Sequence, residues 1–363
     1  MLNIDDAMKP LNRLSLACLI ALAPLPVFSQ GAAQAITEAP LVCTAGRQVN
    51  EEGFIRIGGI EQWVAIKGND CRNPVILMVH GGPGNPNTIF AELPYAAWEK
   101  EYTIVQWDQR GAGRTFMRNP ATADGVLTIE GLANDGNQVA EYATKHLNAK
   151  KLILFGGSWG SALSVHMAKA RPELYAAYLS TGQLVNGREN EADSYRTLLE
   201  LAKAANDVKT IAAIEALGAP PWSNPRTPGL FRKISRGYEA KVITPTPKGW
   251  YALSPAYQTD KMQADYEAGE DYSWIQYVGV KREGMHAKLD LYKLGTDFKI
   301  PVFMIVGEHD LTTTPAVARR YFDAVKAPKK EFFLLPLVGH DPNPPMVEAQ
   351  CRVLKTHIAP LLK

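Results

Sequence analysis

From residue 74 onward the chain alternates continuous apolar runs with stretches of helical periodicity. The runs over residues 75–79, 103–107, 152–155, 175–179, 302–306 and 332–335 are short and mostly unbroken, the pattern of strands buried on both faces. Apolar positions recur at helical spacing over residues 128–147, 161–169, 315–324 and 346–361, each stretch lying between two strand candidates or after the last. Such alternation predicts a mainly parallel sheet flanked by helices. Ahead of it, residues 54–57 and 60–67 read as a two-stranded unit joined at Gly58-Gly59. The rhythm fails over residues 183–288, where two amphipathic stretches (191–204 and 208–217) precede a proline-rich segment at 219–229 and an aromatic-rich region reaching Tyr277. That interval predicts a helical lobe inserted between the sixth and seventh strands, leaving the sheet domain discontinuous in sequence.

The amino terminus carries a different pattern. Arg13 precedes an apolar run over residues 14–28 that is too short to span a membrane and is followed by Ala33-Gln34-Ala35, the small-x-small form of a cleavage site. Asp5 and Asp6 suit such a leader poorly, whereas a start at Met8 sets Met-Lys-Pro-Leu-Asn-Arg directly before the apolar core. The expected organisation is a signal peptide over 1–35, a core built from 36–182 and 289–363, and a helical cap lobe over 183–288. This implies a periplasmic or secreted protein. No later stretch reaches the roughly 18 unbroken apolar residues a membrane helix needs, so no span is expected in the mature chain.

Charge and cysteine narrow the picture further. Lys plus Arg number 39 against 37 Asp plus Glu, a net +2 that gives no sign of nucleic acid or anionic lipid as a partner. Removing the leader takes Cys18 away and leaves three of the four cysteines. An oxidising compartment permits a bridge. Cys43 and Cys71 bracket the two-stranded unit and are the expected pair, while Cys351 reads as a small buried apolar side chain.

The candidate chemistry centres on Gly156-Gly157-Ser158-Trp159-Gly160-Ser161, which contains Gly-x-Ser-x-Gly directly after a strand candidate and directly before a helical stretch. A strand-to-helix turn this sharp needs flanking residues nearly free of side chain, and it lifts the serine hydroxyl above the sheet. A serine hydroxyl is a weak nucleophile unless an imidazole takes its proton, and a carboxylate must hold that imidazole in the right tautomer. In the α/β-hydrolase fold these groups follow in the order Ser, acid, His on loops after later strands. Asp310, in Gly307-Glu308-His309-Asp310, and His340, in Val338-Gly339-His340, fill those places, with Glu308 as rival acid and His309 as rival base. His80-Gly81-Gly82-Pro83-Gly84 follows the 75–79 strand where the fold sets half of its oxyanion hole. The expected donors are the backbone N–H groups of Trp159 and Gly82, with Gly81 as the alternative, and His80 reads as a structural histidine.

Taken with Gln106-Trp107-Asp108-Gln109-Arg110-Gly111-Ala112-Gly113-Arg114, these motifs resemble the proline iminopeptidase branch of the α/β-hydrolases, peptidase family S33. The resemblance covers roughly residues 50–182 and 290–363. It implies an aminopeptidase releasing an N-terminal residue through an acyl-enzyme. It also implies a cis peptide before Pro83 and a role for Asp108 and Arg110 in bracing the oxyanion loop. Members of the family hold a substrate's free α-amine with glutamates of the cap. The family's Trp-Glu motif has no match in this lobe, and Glu189 and Glu191 stand as candidates by position.

Other chemistries fit less well. Neither glycine cluster has Lys-Ser/Thr after it or Gly-x-Gly-x-x-Gly spacing, which argues against nucleotide binding. The seven histidines are scattered with no His-Glu-x-x-His, so neither a metal nor a cofactor is expected. Ser158 in place of Asp argues against a dehalogenase or epoxide hydrolase. The remaining alternatives are a carboxylesterase or lactonase on a small acyl substrate, or a binding module with a vestigial site. The expected partner in all enzyme readings is a small molecule or short peptide.

Overall fold

The computed structural model describes residues 33–90, 94–120 and 125–362. The expected leader lies outside these residues up to position 32. Residues 33–363 form one compact unit.

Nine strands make one sheet: β1 Gln34–Ala35, β2 Val49–Ile57, β3 Ile60–Gly68, β4 Val75–Val79, β5 Thr103–Trp107, β6 Leu152–Gly157, β7 Tyr175–Thr181, β9 Val302–Gly307 and β10 Lys330–Leu335; β8, Lys248–Tyr251, lies outside it. Their order is β1-β2-β3-β5-β4-β6-β7-β9-β10. Antiparallel pairing is confined to β2–β3 and β3–β5, and the rest is parallel. This is the α/β-hydrolase fold.

The central strands are apolar throughout because they serve two cores. Val75, Leu77 and Val79 of β4 face one layer while Ile76 and Met78 face the other. Leu152 and Leu154 against Ile153 and Phe155 on β6 repeat the division, as do Val302 and Met304 against Phe303 and Ile305 on β9. Each such side chain, fully buried, contributes about 1.5–3 kcal/mol. Helices α1 Gly113–Arg118, α2 Ile129–His146, α3 Trp159–Ala170, α9 Pro315–Ala324 and α10 Pro344–Val353 belong to the sheet domain. The side chain of Thr128 caps α2 by accepting from the Gly131 N–H.

The β2–β3 hairpin pairs all nine residues, from Ile57–Ile60 at the turn to Val49–Gly68 at the open end. Cys43 and Cys71 lie just beyond that open end and are disulfide-bonded, with Cα atoms 5.8 Å apart. The bridge closes a loop across a separation of 28 residues and stabilises by about 3 kcal/mol in the chain-entropy model. Cys351 is free and half-buried.

Between β7 and β9 the chain leaves the sheet for α4 Gly187–Ala204, α5 Val208–Glu215, α6 Thr227–Glu239, β8, α7 Asp260–Val278 and α8 Met285–Lys288. Leu198, Ala202, Ile214, Trp222 and Phe231 form a small core of their own, joined by Leu311 from the loop after β9. Helix α7 leans on the loops after β4 and β5. Ser273 Oγ donates to the Gly111 carbonyl at 2.6 Å, and Asn85 Nδ2 donates to Glu270 at 2.8 Å. Among the described residues no helix is long and apolar enough to cross a membrane.

Candidate active site

The site forms where parallel strands end side by side. Register pairs Val79 of β4 with Gly156 of β6, and Gly157 with Thr181 of β7, so the loops after these strands emerge together. The order of strands reverses around β4, the position where open α/β sheets leave a crevice at their carboxyl ends.

Ser158 sits between β6 and α3 with φ +54°, a conformation that a non-glycine residue adopts only when its surroundings enforce it. The enforcement is visible. Its N–H donates to the Thr181 carbonyl at 3.0 Å, and a Cβ at Gly160 would come within 2.0 Å of the Val79 carbonyl oxygen. Only glycine lets α3 start against β4 in this way.

His340 Nε2 lies 2.9 Å from Ser158 Oγ, and its Nδ1 lies 3.0 and 3.1 Å from the two carboxylate oxygens of Asp310. Asp310 is buried and accepts further bonds from the Thr312 and Thr313 N–H groups at 2.8 and 2.7 Å and from the Thr313 hydroxyl at 2.7 Å. Burial raises its pKa, but the His340 charge and these donors outweigh that and hold it below the usual carboxylate value. For His340 burial opposes the charged form, and the Asp310 carboxylate more than reverses it, so the net shift is upward. The rivals stand apart from this chain of bonds: Glu308 is exposed and His309 half-buried.

Gly82 follows β4 with φ +106°, where a Cβ would meet Asn85 at 2.7 Å, and its bond to Pro83 is cis. Gly81 packs on the serine turn, its Cβ direction 3.3 Å from the Gly157 carbonyl. The Trp159 N–H belongs to the first turn of α3, whose amides have no intrahelical acceptor. Gln109 ties the two halves together: its Nε2 donates to the His80 carbonyl at 3.0 Å, and its Oε1 accepts from the Trp159 indole at 3.0 Å. His80 donates from Nδ1 to the Gly81 carbonyl and accepts at Nε2 from the Gln109 N–H, and burial lowers its pKa to about 4. It is a neutral structural histidine. Asp108 does brace the segment after the loop, accepting from the Thr88 hydroxyl at 2.5 Å and the Arg114 N–H at 2.9 Å. Arg110 pairs with Asp135 at 2.9 Å and donates to the Gly58 carbonyl at 2.8 Å, which fastens the β2–β3 turn.

Two cavities border Ser158. The smaller, about 90 Å³, is walled by Leu184, Trp222, Phe231 and Tyr277, with Glu191 and Arg232 among its polar lining. The larger, about 680 Å³, runs past Gly82, His340, Tyr266 and Glu270. The two predicted amine-binding candidates part company here. Glu189 lies outside both linings and pairs with Arg320 at 2.7 Å on the surface. Glu191 reaches the smaller cavity, but the Arg282 guanidinium already occupies its carboxylate.

Three lobe residues were not singled out from the sequence. Glu270 lines the larger cavity, and Arg232 lines both. Glu239, at the last residue of α6, is buried against the site; it accepts from the Leu311 N–H at 2.8 Å and the His340 N–H at 3.0 Å. Burial and the neighbouring Asp310 charge raise its pKa to about 7. Helical spacing is the signal that could have found them: 266, 270, 273, 274 and 277 share one face of α7, and 228, 231, 232, 235 and 239 one face of α6.

A nucleophile turn, an imidazole and a carboxylate in hydrogen-bonded series at the carboxyl ends of a mainly parallel sheet belong to a serine hydrolase of the α/β-hydrolase fold. Residues 71–343 match the family described as serine aminopeptidase, S33, and the chain belongs to that family. A Bacillus subtilis (strain 168) protein named "Probable aminopeptidase YbaC" is 27% identical over 297 residues, covering 80% of this chain and 90% of that one. Proline iminopeptidase of Lactobacillus helveticus is 29% identical over 123 residues, 34% of this chain and 40% of the relative. The crystal structure of proline iminopeptidase from Mycobacterium smegmatis superposes with a TM-score of 0.60 at 20% identity, covering 86% and 97% of the two chains, a likeness of fold.

Proposed function

We propose that this serine hydrolase is an exported aminopeptidase that releases the N-terminal residue of a short peptide through an acyl-enzyme on Ser158. The substrate carbonyl lies over Ser158, whose Oγ attacks while its proton passes to His340 Nε2. Asp310 holds the Nδ1–H tautomer and stabilises the imidazolium. The oxyanion is received by the N–H groups of Trp159 and Gly82, each donor contributing about 3 kcal/mol to the transition state. His340 then protonates the departing amine, and a water repeats the relay to free the acid.

The observation that carries the aminopeptidase part is Glu270, a carboxylate on the wall of the cavity that holds Ser158 and His340. An α-ammonium group is the substrate feature such a carboxylate recognises. Asn85 and helix α7 hold it in place, and the names of the relatives agree with an N-terminal specificity. The decisive comparison is between free and N-acetylated aminoacyl anilides. The parent should favour the free amine, and Glu270→Gln should lower kcat/KM for it by about 10–150-fold while sparing acetylated substrates. No preference in the parent would leave the triad serving esters or lactones instead.

Export is supported by the amino-terminal pattern and by the Cys43–Cys71 bridge, which an oxidising compartment preserves. Amino-terminal sequencing of the protein recovered from its native cells should begin at Ile36. An unprocessed chain found with reduced cysteines in the cytosol would overturn it.

A further inference from the structure

Two half-buried guanidinium groups among the described residues come with a carboxylate: Arg110 with Asp135 at 2.9 Å, and Arg282 with Glu191. Arg232 is different. It lines both cavities at Ser158, its Nε is buried, and among the described residues that nitrogen has no hydrogen-bond partner and the side chain no ion pair. The carboxylates whose charge acts on it are engaged elsewhere, Asp341 by Arg236 at 2.8 Å and Asp310 by His340. Burial and the neighbouring Arg236 charge lower its pKa.

Among the described residues, two other buried polar atoms of the smaller cavity's lining residues also have no hydrogen-bond partner, Asn190 Nδ2 and Thr312 Oγ1. The Asn190 amide is oriented by its other end, since Oδ1 accepts from the Val185 and Asn186 N–H groups at 3.2 and 3.3 Å. Its Nδ2 is therefore a donor without an acceptor. Asn190, Thr312 and Arg232 all line the smaller cavity, and the group that a guanidinium with N–H and O–H donors nearby recognises is a carboxylate. The one acid among that cavity's lining residues, Glu191, is paired with Arg282.

We infer that Arg232, with Asn190 and Thr312, forms a subsite for a carboxylate of the substrate beside the nucleophile. The inference rests on Ser158 as the acylated group but not on recognition of a free amine. The carboxylate can come from the acyl side, as a short acidic chain in the smaller cavity, or from the leaving group, as the carboxyl terminus of a dipeptide.

Two substrate pairs separate these sources. The acyl-side pair is the 4-nitrophenyl monoester of succinate against 4-nitrophenyl butyrate. The leaving-side pair is Ala-Ala against Ala-Ala amide. The parent should favour the acid in one pair, and the responding pair names the source. Arg232→Gln should lower kcat/KM for that acid by about tenfold to a hundredfold more than for the neutral member of the pair. Arg232→Lys should keep part of the preference, since it keeps the charge but loses the planar fork. Equal rates within both pairs in the parent, or equal losses for acid and neutral members in Arg232→Gln, overturn the subsite. The parent's rates need no variant to fold. Failure of amine recognition would silence only the dipeptide pair, whereas failure of both esters and of fluorophosphonate labelling would overturn Ser158 as nucleophile.

Discussion

The sheet domain and the inserted lobe meet at one site but are built on different terms. In the sheet domain each member of the proposed triad sits within a few residues of a strand end, and parallel register brings them together: Ser158 after β6, Asp310 after β9, His340 after β10. The lobe supplies walls instead, from helix faces whose side chains meet the cavity one turn apart. A change in the first region should therefore affect every substrate alike, and a change in the second should depend on which substrate is offered. Glu239 crosses this division, because a lobe carboxylate holds the backbone of His340 and of Leu311.

The largest expected effect is at the nucleophile. Ser158→Ala should lower kcat by several orders of magnitude for anilides and esters alike and abolish fluorophosphonate labelling. Its unfolding midpoint should stay near that of the parent, since one hydroxyl contributes little to packing. Residual activity that differs strongly between substrate classes would break the comparison.

The next effect is set by pH. His340 must be neutral to accept the Ser158 proton, and Asp310 raises its pKa above the ordinary value of 6.5. Acidification therefore protonates the base, and kcat/KM should fall tenfold per pH unit on the acid limb, with a midpoint above 6.5, for every substrate. A midpoint that moves from one substrate to the next would show that a lobe group, not His340, controls the limb.

Glu239→Ala sharpens the exception. It leaves the Leu311 and His340 amides without an acceptor, a cost of about 1–3 kcal/mol each, and should slow all substrates by a similar factor. The pH dependence of stability provides a second readout. The carboxyl's pKa is raised from 4.5 to about 7, so the folded protein binds a proton that the unfolded chain has released. The stability due to this group is full below pH 4.5 and is lost as pH rises through about 7. Denaturant titrations across that window should show the parent losing stability relative to Glu239→Ala as pH rises.

The smallest effect belongs to Glu189. Its pair with Arg320 is on the surface, so Glu189→Gln should change stability by less than about 1 kcal/mol and leave kcat/KM unaltered for free-amine substrates. A substrate-dependent loss would place this residue in recognition after all and extend the site beyond the two cavities.

The sheet domain, its strands and the serine turn could be read from residue patterns alone, because those features depend on short-range order. A strand buried on both faces must be apolar throughout, as Val75–Val79 is, and a sharp turn against a neighbouring strand must have glycine where Gly160 approaches Val79. The positions of Asp310 and His340 were legible for the same reason, each lying just past a strand end. Which lobe side chains line the cavities at Ser158 depended instead on how the chain packs in three dimensions. Glu189 and Glu191 are two residues apart at the start of α4, yet one meets Arg320 outside and the other Arg282 within, since successive helix positions point in different directions. Arg232, Glu239 and Glu270 carry no motif. Helical spacing groups them on one face of α6 or α7, but their place at the site comes from how those helices dock across the carboxyl ends of the strands, a matter of long-range packing.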